Sequence, residues 1–304
     1  MPDLRLLDSL NERFAIPGAV RFEAGSGGLI RAVVTVPAAE GHVYLHGAHV
    51  THHRPARQHP LLFLSSRSQF VAGKAIRGGV PVIFPWFGAR AGNPRAPDHG
   101  FARTTEWAVE SVERSGDGSV AVTLGLEPND STRETWPQDF RIRHRVVLGA
   151  DLEMALEVEN RSREPLTFEE ALHTYLLVGD VRQASVTGLE ATYIDKTDGM
   201  RRKTVAAEPL RLSATTDRVF LDTPATCTVS DPALARRLVV EKSGSATTVV
   251  WNPWSEKART MADMGPDEWR SMLCVEAANA ADNALRLAGG ERHTMAVVIR
   301  ATTA

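Results

Sequence analysis

Cysteine is scarce in this chain: Cys227 and Cys274 are the only two among 304 residues. One disulfide could form from them, but a framework of several cannot, so the reading is two buried free thiols in a reducing compartment. Long apolar runs are absent as well. No uninterrupted stretch approaches the roughly 20 residues that a membrane-spanning helix needs. The opening "MPDLRLLDSLNERF" is broken by charges throughout, which does not fit a secretory leader. Cytoplasm is therefore the expected compartment. Excess charge is missing too. A formal net charge of −2 gives no general pull toward nucleic acid or acidic membranes. Neither low-complexity tracts nor a compositional shift mark a domain boundary, and one domain over residues 1–304 is expected, as a monomer or weak homo-oligomer.

Familiar chemical signatures are also lacking. The phosphate loop ending in Gly-Lys-Ser/Thr does not occur, nor does the G-x-S-x-G elbow of Ser/His/Asp nucleophilic catalysis. "HVYLHGAHVTHHRP" holds His42, His46, His49, His52 and His53. It has no cysteine partners and no HExxH, and His46 and His52 differ in strand parity from His49 and His53. We expect no metal there.

What is present is period-two patterning. "FRIRHRVVL" sets Phe140, Ile142, His144, Val146 and Leu148 on one face, with mostly arginines opposite. "DLEMALEVEN" sets Leu152, Met154, Leu156 and Val158 against Glu153, Glu157 and Glu159, and "GAD" between the two reads as a hairpin turn. "SVAVTLGLE", "RRLVVEKS", "ATTVVWNP" and "HTMAVVIRAT" are further strands, with turns at "SGDGS" and "AGGERH". Helix is expected only over residues 3–14 and in "GPDEWRSM", where Asp267 and Glu268 suit a first turn. Apolar residues at 43% suffice for a large core, and the fold class is all-β, a large antiparallel sandwich.

Four stretches could carry chemistry. In "VAGKAIRGGVPVIFPWFG", Arg77 precedes Gly78 and Gly79, with Phe84, Trp86 and Phe87 nearby. It could fork onto a phosphate, or be a solvated arginine on a bulged edge strand. In "PDHGFARTTEW", His99 and Arg103 flank a glycine on a loop, which suits binding or a plain polar loop. In "FEEALHTYLLVGD", a regular strand would put Glu169, Ala171, His173 and Tyr175 on one face and Glu170 on the other. His173 is then either a packing residue or a proton carrier. In "SMLCVEAANA", Glu276 sits in an apolar strand, where a carboxylate costs several kcal/mol unless paired. General base and buried ion pair both remain open.

"IRGGVPVIFPWFG", "DHGFARTTEW", "LHTYLLVGD", "TTDRVFLDTP", "VVWNPW" and "CVEAANA" occur together and in this order. The set resembles the hexose-6-phosphate mutarotases, also called glucose-6-phosphate 1-epimerases, within the aldose 1-epimerase superfamily. The resemblance covers about residues 30–300. It implies the galactose-mutarotase-like β-supersandwich and interconversion of α and β anomers by acid–base catalysis, without cofactor, metal or nucleotide. By resemblance His173 is the general acid and Glu276 the general base. Arg77 and Arg103 bind the sugar phosphate, Asp217 in "TTDRVF" holds sugar hydroxyls, and His99 lies near the sugar. Asp98 departs from relatives that carry glutamine at this substrate-contacting position, and its charge must be offset by Arg77 and Arg103. Two other functions fit the same pieces: an epimerase of unphosphorylated aldoses, and a carbohydrate-binding protein without catalysis.

Overall fold

A computed structural model describes residues 3–189, 192–205 and 209–303. Helix Leu4–Phe14 opens it, close to the expected bounds. The carboxylate of Asp3 caps it by accepting from the amides of Arg5 and Leu6. The rest is antiparallel sheet: among the described residues, two sheets of eight strands, one of four and one of two.

The two best-patterned segments form strands Phe140–Leu148 and Leu152–Asn160. They pair around the expected turn, with Leu148 opposite Leu152. Their apolar positions are buried as the alternation requires, His144 included, and the outward arginines meet the outward glutamates in register. Arg143 faces Glu157 and Arg141 faces Glu159 across the ladder. Arg143 pairs with Glu157 at 3.3 Å, whereas the Arg141 guanidinium turns to Glu110 at 2.8 Å; such partly exposed ion pairs each contribute only about 0.2–1 kcal/mol. Burial of the opposite face holds the sheet.

Strands Val120–Leu126, Arg236–Ser243, Thr247–Asn252 and Arg292–Thr303 follow the remaining alternating segments. The helix expected in "GPDEWRSM" is reduced to the 3-10 turn Glu268–Ser271. The Glu268 carboxylate accepts from Ser65 Oγ at 2.7 Å and from the amides of Ser66 and Gly265 at 2.8 and 2.7 Å, so it pins two loops together. Short helices Asp130–Thr135 and Trp254–Thr260 were not expected.

The site rests on the sheet ordered Arg201–Thr204, Thr192–Asp195, Thr216–Phe220, Thr247–Asn252, Met272–Asn279, Glu170–Leu172 and Val82–Ile83, with Tyr175–Leu177 also on Met272–Asn279. The segment 168–177 is not the regular strand that the pattern suggested. It breaks into Leu166–Phe168, Glu170–Leu172 and Tyr175–Leu177. At the second break the Thr174 amide turns back to the Leu172 carbonyl at 2.8 Å, while the amides of His173 and Tyr175 donate to the carbonyls of Pro81 and Gly79.

Candidate active site

Met272–Asn279 is buried along its whole length, which explains its apolar character apart from Glu276 and the terminal Asn279. Leu172 pairs with Ala277 and Tyr175 with Cys274, so His173, in the gap between, falls across from Glu276. Their side chains meet: His173 Nδ1 lies 3.3 Å from Glu276 Oε1. Both are buried, at 7% and 1% exposure. His173 Nδ1 and Glu276 Oε2 are buried atoms without a hydrogen bond among the described residues, so the 3.3 Å approach is a close charge contact and not a hydrogen bond.

A pocket of about 380 Å³ opens above this pair. Arg77, Asp98, His99, Arg103, His173, Asp217 and Glu276 all line it, from five separate stretches of the chain. Lys196, Lys257, Phe87 and Trp251 line it as well.

Burial pushes the His173 imidazole well below the ordinary histidine range, and nearby His99, Arg103 and Arg77 oppose its charged form further. Burial pushes Glu276 well above the ordinary carboxylate range, helped by Asp217 and opposed by Lys196 and Arg103. Each group alone therefore prefers its neutral form. In that state the pair carries one proton in total, on Glu276.

Arg77 is held on three sides. Its Nε and Nη2 reach Asp263 Oδ2 at 3.1 and 3.0 Å, and its Nη1 donates to the Tyr175 hydroxyl at 2.9 Å. Gly78 and Gly79 leave room beside the backbone that a ligand could use. The protein's own chain takes that room instead: at φ +61°, a Cβ on Gly79 would lie 2.3 Å from the Val50 carbonyl oxygen. His49 Nε2 binds the Gly78 carbonyl at 2.7 Å, which fixes the turn that aims Arg77.

Arg103 donates from Nη2 to the Asp98 carbonyl at 2.7 Å, and its Nε is buried without a partner among the described residues. Burial, the largest influence, lowers its pKa, with Arg77 adding to the effect. The Asp98 carboxylate is on an exposed residue and makes no hydrogen bond to Arg103. That residue's backbone does.

His99 takes a positive φ of 65° ahead of Gly100. Its Nδ1 accepts from the Gly88 amide at 3.2 Å, so the ring proton belongs on Nε2. Burial first, then Arg103, Lys196 and Arg77, lower its pKa to about 2, so it is a neutral hydrogen-bond group. Asp217 lies on Thr216–Phe220, two strands from Glu276, roughly 10 Å across the sheet. Burial raises its pKa, and Lys196, 3.5 Å away, is the main opposing influence.

Glu169 shares the side of His173 by parity, but its carboxylate does not serve it. It accepts from the amides of Phe87 and Ala281 at 2.8 and 2.7 Å. Glu170 points the other way and is fully buried against Asn279 and His293. The histidines at 42–53 each have their own partner: His46 the Lys74 carbonyl, His52 the Glu40 carboxylate, His53 the Gly149 carbonyl. Cys227 and Cys274 are both buried. Cys274 does bring a third donor to the pair: its Sγ and the nearest atoms of His173 and Glu276 lie within 4.8 Å of one another. That donor set would suit a thiophilic divalent ion. Burial holds the Cys274 thiol well up, however, and Arg77, Arg103 and Lys196 crowd the same space with positive charge.

Tyr175, Lys196, Lys257 and Asp263 were not singled out as site residues from sequence. Tyr175 alone gave a sign, by sharing a strand face with His173. A lysine in "YIDKTDG" has the look of an ordinary turn.

A family model described as aldose 1-epimerase matches residues 36–300. A protein of Escherichia coli (strain K12) named "Putative glucose-6-phosphate 1-epimerase" is 36% identical over 250 residues, covering 82% of this chain and 83% of that protein. A protein of Cenchrus ciliaris with the same name is 36% identical over 258 residues, covering 82% and 77%. A crystal structure from Salmonella typhimurium, titled as that of "a putative mutarotase", superposes with a TM-score of 0.89 at 28% identity, over 98% of this chain and 100% of that one.

Proposed function

The chain belongs to the aldose 1-epimerase family, and from that premise we propose that it interconverts the α and β anomers of a hexose 6-phosphate, with glucose 6-phosphate as the first candidate. The observation that carries the reading is the His173–Glu276 contact of 3.3 Å at the base of a pocket that also holds Arg77 and Arg103.

Anomerisation needs one proton removed and one delivered, with no change of oxidation state. Glu276 takes the proton from the anomeric hydroxyl. The C1–O bond of the ring breaks as C1 becomes a carbonyl, and His173 gives its proton to the departing ring oxygen. The open aldehyde turns about the C1–C2 bond. Closure on the other face returns both protons. The pair holds one proton at each stage, on His173 before opening and on Glu276 after it, so it must be singly protonated to start. The neutral state that burial favours, with the proton on Glu276, matches the open-chain stage. The ion pair matches the cyclic stage.

Arg77 and Arg103 would hold the phosphate and so orient the ring over the pair. His99 Nε2–H and the Asp217 carboxylate would bind hydroxyls, and Lys196, 3.5 Å away, favours the charged form of Asp217. One observation favours a second reading, an epimerase of free aldoses: Arg77 already has a carboxylate partner in Asp263. Saturation-transfer NMR on glucose 6-phosphate, glucose and galactose 6-phosphate separates them. Our reading expects exchange at least tenfold faster on a 6-phosphate than on glucose. Equal rates would favour the free-sugar reading.

A further inference from the structure

Tyr175 stands between two groups that the proposed chemistry uses. Its hydroxyl accepts from Arg77 Nη1 at 2.9 Å. Its ring lies flat against the His173 imidazole, with centroids 4.7 Å apart and planes within 8°. Trp251 meets both rings edge-on, at 6.1 Å from His173 and 5.9 Å from Tyr175, and His99 closes another side of His173 at 5.8 Å. Tyr175 is 1% exposed and does not itself line the pocket.

We propose that Tyr175 is a positioning residue that transmits occupation of Arg77 by an anion to the imidazole of His173. The inference rests on reading Arg77 as the anion clamp. A guanidinium is a rigid planar fork, so one nitrogen cannot be re-aimed without turning the others. Nε and Nη2 share a single oxygen of Asp263. An anion that draws on that edge must share with Asp263 or turn the plane, and either response moves Nη1. The Tyr175 hydroxyl is bonded to Nη1, and burial keeps the phenol neutral, so it follows as a hydrogen-bonded group. Its ring then bears on the face of His173, which Trp251 and His99 stop from yielding sideways. Close packing passes such a shift on instead of absorbing it. Proton delivery depends steeply on orientation, so a small turn of the imidazole changes turnover.

The test separates the anion from the sugar. Anomer exchange of unphosphorylated glucose is followed by NMR with and without inorganic phosphate, while phosphate binding is read from its own ³¹P line width. In the unaltered protein, phosphate should raise glucose turnover at least threefold and shift the ring-proton resonance of His173. In Tyr175→Phe, which removes one oxygen and keeps the stacked ring, phosphate should bind within about threefold of its original affinity, yet the rise should vanish. Phosphate that binds without raising turnover or shifting His173 in the unaltered protein overturns the inference. So does an equal rise in Tyr175→Phe. Both leave the clamp standing. Phosphate binding that is absent, or unchanged in Arg77→Ala, removes the clamp reading and this inference with it. The His173 resonance decides the matter even if Tyr175→Phe melts early.

Discussion

His173 Nδ1 and Glu276 Oε1 approach to 3.3 Å although they lie 103 positions apart in the chain. The register of Met272–Asn279 with the two short strands on either side of His173 produces that approach. The break in the segment leaves His173 out of the ladder, and its amide bonds to Pro81 instead.

The first prediction concerns pH and rate. Activity requires one proton on the pair. A second proton must make an imidazolium in a site where burial, Arg103 and Arg77 oppose it, so the acid limb lies below the ordinary histidine value of about 6.5. Loss of the last proton is opposed by burial of Glu276, so the alkaline limb lies above the ordinary glutamate value of about 4.3. The acid limb of the kcat/KM profile should therefore lie below the ordinary histidine value, with no inflection at about 6.5. Half-maximal activity near pH 6.5 would mean that a solvent-like histidine limits the rate.

A second prediction concerns the clamp. Arg77→Ala removes charge-assisted bonds worth about 1.5–3 kcal/mol, or roughly 10- to 150-fold in affinity. The kcat/KM for glucose 6-phosphate should fall by at least tenfold, and that for glucose by much less. Parallel losses would show that Arg77 supports the site without reading phosphate.

A third prediction concerns acid stability. Burial lowers the pKa of His49 to about 3, and of His53 and His144 to about 4. These groups fold neutral, so the unfolded chain binds more protons once pH falls below about 6.5. Their contribution is complete above that pH and is lost as pH falls toward the folded values. Each costs up to about 1.4 kcal/mol per pH unit over that window. Urea midpoints should be level from pH 7 to 8 and fall steadily from pH 6 to 5. A level midpoint down to pH 5 would contradict burial of these rings.

A fourth prediction concerns the loop that carries His99 and Arg103. Gly100 has φ +71°, and a Cβ there would lie 1.9 Å from the Phe84 carbonyl oxygen. Gly100→Ala should cost several kcal/mol in thermal unfolding, through both strain and collision. Gly116→Ala, in the "SGDGS" turn with open space around it, should stay within about 0.5 kcal/mol. Similar melting of both variants would refute the tight approach.

The architecture was legible where two faces differ. The alternation in 140–148 and 152–160 is the direct imprint of one wet and one dry face, and both strands lie where it put them. The segment around His173 misled, because a strand that breaks to bond with Pro81 and Gly79 leaves no mark in its own residues. Every site residue named from the ordered motifs lines one pocket, and that grouping came from resemblance, not from periodicity. Lys196 and Asp263 stayed hidden because their roles are pairings, with Asp217 and Arg77, across distances that no local pattern encodes.

The central claim is that His173 and Glu276 pass a proton through the sugar. Saturation-transfer NMR on glucose 6-phosphate, with His173→Asn and Glu276→Gln beside the unaltered protein, tests it most directly. Each substitution should slow exchange by about 10²- to 10⁴-fold while far-UV dichroism and melting stay native-like. Exchange within a few-fold of the unaltered rate in either folded variant would contradict the account.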